Sequence, residues 1–181
     1  MTAPSPSLQL TKPIVLVGLM GAGKSTIGRR LATALGLNFI DSDNEIVEAA
    51  GCSIADIFES YGEAIFRDLE QRVLLRLLGS EPCVIATGGG AFIQPAIRTA
   101  IKEKSISIWL KADLEVLLDR VSRRDTRPLL KTGDKSVILS KLMEERYPIY
   151  AEADITIDSN AGMHEDVVGN IMRALREVEH A

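Results

Sequence analysis

GLMGAGKST, residues 18–26, stands between an apolar run, PIVLV (13–17), and an amphipathic one, IGRRLATALG (27–36). From Gly18 to Ser25 it fits G-x-x-x-x-G-K-[ST] at every fixed position. Glycines allow a tight turn that aims backbone N–H groups at phosphate oxygens. A helix starting near Lys24 adds the positive end of its dipole. Lys24 can reach the outer phosphates, and Ser25 offers a hydroxyl to Mg²⁺. The motif needs a strand before it and a helix after it, and the flanking runs supply both. The expectation is a nucleoside triphosphate with Mg²⁺, bound by Gly21, Ala22, Gly23, Lys24, Ser25 and Thr26. The competing reading is a glycine-rich turn that only packs.

Further out, β-rich runs alternate with helical patterns. Strands are expected at 14–17, 37–41, 83–87, 105–110 and 154–158. Helices are expected at 26–35, 42–50, 53–61, 63–79, 113–124, 136–153 and 164–179. Gly36 and Gly51 are stops, Ser42 is a candidate cap, and Ser53 with Asp56 resembles a capping box. The helix at 63–79 is expected to turn Ile65, Phe66, Leu69, Val73 and Leu77 inward, and Pro148 to kink or end the helix that holds it. Alternation of this kind implies a three-layer α/β/α fold. Its five-stranded parallel sheet is covered on both faces and binds ligands beyond the carboxyl ends of its strands.

The chain has 181 residues, 46% of them hydrophobic, with a net charge of −4. That length suits one domain, placed at 13–181 after a flexible tail at 1–12 that lacks the pattern of a signal peptide. The acidic balance argues against a nucleic-acid or membrane-surface binder. No apolar run approaches the roughly 20 residues of a membrane span. Cys52 and Cys83 have no metal-like spacing and read as reduced thiols. A cytoplasmic monomer is the expectation.

What the phosphate is for depends on the rest of the rim. A GTPase would carry Asn-Lys-x-Asp, and the nearest match, LKAD (110–113), has Leu in place of Asn. A motor ATPase would end an apolar strand in a carboxylate, and CVIAT ends in Thr87 and glycines. A small-molecule kinase needs an acceptor pocket and a lid against water. Asp41-Ser42-Asp43 supplies acid at the end of the second strand, where alternation places Asp41 and Asp43 on the same side if the chain stays extended. One carboxylate can sit in the Mg²⁺ shell while the other orients an alcohol and receives its proton. Alternatively Ser42 or Asp43 simply caps the next helix.

GLMGAGKST, DSD (41–43), FRDLE (66–70), TGGG (87–90), TRPLL (126–130) and ERYPIYAEAD (145–154), in that order, resemble the shikimate kinase family over about residues 13–160. The resemblance implies a nucleoside-monophosphate-kinase-like fold. The implied reaction transfers the γ-phosphoryl of ATP to the 3-hydroxyl of shikimate, in aromatic amino-acid biosynthesis. By the same resemblance Arg67 and Arg146 bind the shikimate carboxylate, and Asp43 serves the reacting hydroxyl. Gly88 and Gly89 let the backbone approach the ring, Asp41 lies near Mg²⁺ through water, and Glu70 holds Arg67. Taken alone, Arg67 between Glu63 and Glu70, and Arg146 after Glu144 and Glu145, would read as ordinary surface ion-pair residues.

Arg120, Arg123, Arg124 and Arg127 fall within eight residues, next to a lid expected at about 123–135. By resemblance Arg127 reaches the ATP phosphates and Arg120 stacks on adenine, while Arg123 and Arg124 can equally be a solvated face. After the last strand, DSNAGMHED (158–166) has no proline to wall the adenine, and Asn160 and Ala161 are candidates to do so through their backbone. The alternatives are a kinase of the same fold acting on gluconate or a nucleoside monophosphate, and a nucleotide sensor without turnover. A sensor would be expected to lose Lys24 or Asp43.

Overall fold

A computed structural model describes residues 8–123, 133–160 and 162–179. Its strands are β1 (Ile14–Val17), β2 (Asn38–Asp41), β3 (Cys83–Ala86), β4 (Ile106–Lys111) and β5 (Ile155–Asp158). All pair in parallel, side by side in the order β2-β3-β1-β4-β5. The helices among the described residues are α1 (Lys24–Leu35), α2 (Ser42–Ala50), α3 (Ile54–Leu78), α4 (Pro95–Lys104), α5 (Leu114–Ser122), α6 (Lys135–Tyr150) and α7 (His164–Glu179).

β1 lies at the centre, and all four of its side chains have zero exposure. A strand can be that deeply buried only when helices cover both faces, which is why IVLV is apolar throughout instead of alternating. Burying each such side chain stabilises the fold by roughly 1.5–3 kcal/mol. The chain leaves β1 toward β2 and β3 on one side, and later fills β4 and β5 on the other. The crevice at the carboxyl end of β1 is therefore a topological switch point, where open sheets of this kind take their ligands.

Several boundaries differ from the sequence expectation, each for a physical reason. α1 begins at Lys24, where the phosphate motif places it and two residues ahead of the periodic pattern at Thr26, with Gly23 as its cap in a left-handed conformation (φ +94°). α2 is capped by Asp41, not by Ser42 or Asp43: the Asp41 carboxylate accepts from the N–H groups of Asp43 and Asn44. Ser53 and Asp56 do form the capping box. The helices expected at 53–61 and 63–79 meet in α3 and are separated by a non-helical Gly62 (φ +81°). Phe66, Val73 and Leu77 are buried there, but Ile65 is 52% exposed. It stands about 100° round the helix from Phe66, off the core-facing stripe.

α4 is absent from the sequence expectation; it starts with Pro95 in its first turn and buries Ile97, Ala100 and Ile101. Pro148 neither breaks α6 nor lets it run on, and the helix ends two residues later at Tyr150. Proline removes one N–H and crowds the preceding turn, and the helix continues for only two residues beyond it. Of the 1–12 segment, Leu8 and Leu10 pack half-buried against the core, and the Gln9 N–H donates to Glu179. No helix among the described residues is long and apolar enough to cross a membrane.

Candidate active site

The 18–25 turn leaves the buried end of β1 and delivers the chain into α1. Gly21 (φ +83°) and Gly23 (φ +94°) adopt backbone geometry that a side chain would strain. The first helical bond is made by the N–H of Ile27 to the carbonyl of Gly23. The N–H groups of Lys24, Ser25 and Thr26 thus stand in the first turn, ahead of that bond. They face a cleft of about 340 Å³ lined by the 21–26 segment, Asp41, Asp43 and Thr87. The Lys24 ammonium is buried and donates to the carbonyls of Gly18 (2.7 Å) and Leu19 (2.8 Å), folding the side chain back over its own loop.

Asp41 joins the nucleotide turn to β2. Its Oδ1 caps α2, and its Oδ2 accepts the Ser25 hydroxyl at 2.9 Å. The two candidate metal-shell residues are therefore in contact. The extended Asp41-Ser42-Asp43 geometry expected from strand alternation does not occur. Helix α2 begins at Ser42, burying that serine and swinging Asp43 onto the first turn. Asp43 still reaches the cleft, by helical phase rather than by alternation.

The 88–90 turn follows β3, and each glycine lies under a different side chain. A Cβ on Gly88 would stand 3.0 Å from Asp43 Oδ1 and 3.2 Å from Glu70 Oε2. On Gly89 it would stand 3.3 Å from Arg146 Nη1, and on Gly90 2.6 Å from both terminal nitrogens of Arg67. Glycine is required here for close approach. Gly90, which extends the run, has the tightest contact of the three. Asp43, Arg67 and Arg146 thus converge on one turn from α2, α3 and α6.

Arg67 donates to Glu70 Oε1 at 2.8 Å and lies 3.5 Å from Glu63. Glu70 is 1% exposed and also accepts from Gln94 Nε2 at 2.6 Å, while its Oε2 has no hydrogen-bond partner among the described residues. Burial pushes its carboxyl above the usual carboxylate range; the Arg67 guanidinium pulls it down, and the neighbouring Asp43 charge pushes it up. Gln94 is a site residue that sequence reasoning missed. It stands at the start of α4, the helix that was not anticipated, and its side chain bonds Glu70 instead of capping that helix.

Arg120 braces the outer wall. It donates to the carbonyls of Gly21 (3.2 Å) and Ala22 (3.3 Å) on the nucleotide turn, and of Ser159 (2.6 Å) after β5. Arg123 pairs with Asp119 on the surface, the solvated arrangement expected of a charge run. Arg127, Arg124 and most of the expected lid lie outside the described residues, as does Ala161. The Asn160 side chain accepts from the Asp113 N–H. Beyond Ser159 the cleft is lined by Gly162, His164 and Val167, which no sequence signal singled out. Their approach depends on how α7 packs against α1.

Comparison with known proteins gives one consistent family. A model of the shikimate kinase family matches residues 20–176. The shikimate kinase of Paramagnetospirillum magneticum is 55% identical over 173 residues, covering 96% of this chain and 89% of that protein. The shikimate kinase of Caulobacter vibrioides is 54% identical over 166 residues, covering 92% and 83%. Among solved structures, the shikimate kinase from Acinetobacter baumannii in complex with shikimate is similar at 40% identity and a TM-score of 0.90. That match covers 96% of this chain and 98% of the other.

Proposed function

The chain belongs to the shikimate kinase family, and we infer that the site carries that family's reaction: the γ-phosphoryl group of ATP passes to the 3-hydroxyl of shikimate. The products are ADP and shikimate 3-phosphate, on the route to aromatic amino acids. The observation that supports this most directly is the convergence of Arg67, Arg146 and Asp43 on the 88–90 turn, beside the nucleotide cleft. An acceptor with a carboxylate at one end and an alcohol at the other matches two cations and one acid in that order.

Each group has a chemical task. The N–H groups of the 21–26 segment, with Lys24, hold the ATP phosphates. Arg67 and Arg146 bind the acceptor carboxylate through charge-assisted hydrogen bonds, which fix direction as well as charge. Asp43 holds the reacting hydroxyl and takes its proton as the new P–O bond forms, a contribution typically about 10²–10⁴-fold in rate. Gly88 and Gly89 bring the backbone to the ring. Arg127 steadies the phosphates, and Arg120, besides bracing the nucleotide turn, offers its outer face to the adenine.

A divalent cation fits the Ser25–Asp41 pair, a hydroxyl beside a carboxylate. Among the described residues no group of three or more His, Cys, Asp or Glu side chains gathers as a metal cage. That is the pattern for Mg²⁺, which is held by one or two protein oxygens together with substrate phosphates. When bound it neutralises charge developing on the transferred phosphoryl group. Free thiols at Cys52 and Cys83 fit the reducing cytoplasm as the place of work, and a monomer suffices, since one chain contributes every group named.

The test is ADP release with MgATP and a panel of shikimate, quinate, gluconate and nucleoside monophosphates. Shikimate alone should give rapid turnover. Preference for gluconate or a nucleotide would overturn the reading.

A further inference from the structure

Tyr150, the last residue of α6, is fully buried, yet its hydroxyl ends at the acceptor site. It donates to the carbonyl of Gly89. Arg146, one turn earlier on the same helix, lays Nη1 over that same glycine, 3.3 Å from where a Cβ would stand. The guanidinium also lies beside the phenol. A phenol has a single proton. With that proton committed to Gly89, the oxygen lone pairs are what it presents to Arg146. The phenol is thus fixed to the Gly89 carbonyl with the guanidinium alongside it.

The ring that carries this hydroxyl is held on several sides. Phe92 stacks at 6.5 Å, and Trp109 and Tyr147 lie at 6.0 and 6.2 Å between centroids. Tyr147, three residues earlier, donates its own hydroxyl to the Ala112 carbonyl, away from the acceptor site. The two phenols share a cluster but serve different backbone partners.

We propose that Tyr150 is a positioning residue for the acceptor: its hydroxyl ties Arg146 to Gly89, so the guanidinium meets the substrate carboxylate already oriented. Arginine has five N–H donors, so packing beside Tyr150 leaves a full fork for a carboxylate. Holding the fork in place before binding removes ordering cost from the binding step. Burial pushes the phenol up to about 12, against the opposing pull of Arg146, so it keeps its donor proton throughout the working pH range. The proposal rests on the shikimate kinase reading, which supplies the carboxylate.

The experiment is a double-mutant cycle on steady-state kinetics with shikimate and MgATP. Tyr150→Phe keeps the ring and removes the hydroxyl. It should raise the shikimate KM about tenfold while kcat and the ATP KM stay within about twofold, the signature of lost ground-state positioning. In an Arg146→Ala background the same change should add nothing, because the residue it acts through is gone. Tyr147→Phe, matched in chemistry and cluster, should leave the shikimate KM unchanged. Fully multiplicative effects of the Tyr150 and Arg146 changes, or an ATP KM that rises in step, would mark Tyr150 as a packing residue and overturn the proposal. Should the Phe chain not fold, Tyr150→Met fills the space without a donor and enters the same cycle. A parent chain that fails to phosphorylate shikimate would remove the functional reading and this proposal together; an active parent with multiplicative variants would remove only the proposal.

Discussion

Arg67 presses its guanidinium against the backbone of Gly90, at a point where a Cβ would be 2.6 Å from both Nη1 and Nη2. Gly90 is not among the glycines with positive φ, so alanine brings no backbone strain there. The obstructed atoms are the far end of a flexible side chain, which can swing away at little structural cost. Gly90→Ala should therefore leave the melting midpoint within a few degrees and raise the shikimate KM by about tenfold, or ~1.4 kcal/mol of lost binding. The ATP KM should not move. Steady-state kinetics with one substrate varied at a time, beside a thermal melt, would check this; a large loss of stability with normal kinetics would contradict it.

Asp43 lines the cleft beside the 21–26 segment and also stands over Gly88, where the proposed nucleotide and acceptor positions meet. Asp43→Asn keeps size and first-turn position but cannot accept a proton. Turnover should drop by about 10²–10⁴-fold, with the ATP KM within about threefold. Parallel losses in kcat and ATP affinity would mean that the carboxylate serves the nucleotide instead of the alcohol.

Glu70 gives the protein a pH dependence of defined sign. Burial is the main cause that raises its folded-state carboxyl above the ordinary value near 4.5, opposed by Arg67 and assisted by the charge of Asp43. The unfolded chain therefore releases this proton at lower pH than the folded one. Between the two values the folded state binds more protons, so this group's contribution to stability falls as pH rises. Glu70→Gln removes the titration. Relative to the parent, the variant should gain stability as pH is taken from about 4.5 upward through the raised range, measured as the difference in melting midpoint across that series. It should also bind shikimate more weakly, because Arg67 loses its anionic partner. A stability difference that is flat or opposite in slope would contradict the assignment.

The five strands and the nucleotide turn were legible in the sequence because their signals are local, whereas the order of the strands in the sheet was not. Four fully apolar residues, IVLV, imply a strand buried on both faces, and G-x-x-x-x-G-K-[ST] sets its own backbone geometry. Asp43 lines the cleft by helical phase and not by strand alternation, since Asp41 took the cap and turned Asp43 with the helix. Gln94 and the aromatic cluster around Tyr150 were not legible. Their partners, Glu70 and Gly89, lie 24 and 61 residues away in sequence. The same limit hid His164, whose approach to the cleft follows from the packing of α7. Alanine, lysine, arginine and glutamate in PAIRTAIKEK give a helical composition, but the polar side chain that matters, Gln94 just before it, bonds outside that helix.

Asp41 performs two tasks with two oxygens, and one substitution can separate them. Oδ1 caps α2 through the N–H of Asp43, while Oδ2 takes the Ser25 hydroxyl. Asparagine caps a helix about as well as aspartate, so Asp41→Asn can keep the first task and lose the charge of the second. The melting midpoint should shift by no more than about 2 °C, which corresponds to roughly half a kcal/mol for a chain of this size. The Mg²⁺ concentration for half-maximal rate should rise about tenfold at saturating ATP, because a neutral amide adds no charge to the metal shell and turns a donor toward Ser25. If the metal requirement is unchanged and only stability falls, Asp41 is a cap and nothing more, and the metal shell must be completed elsewhere on the rim.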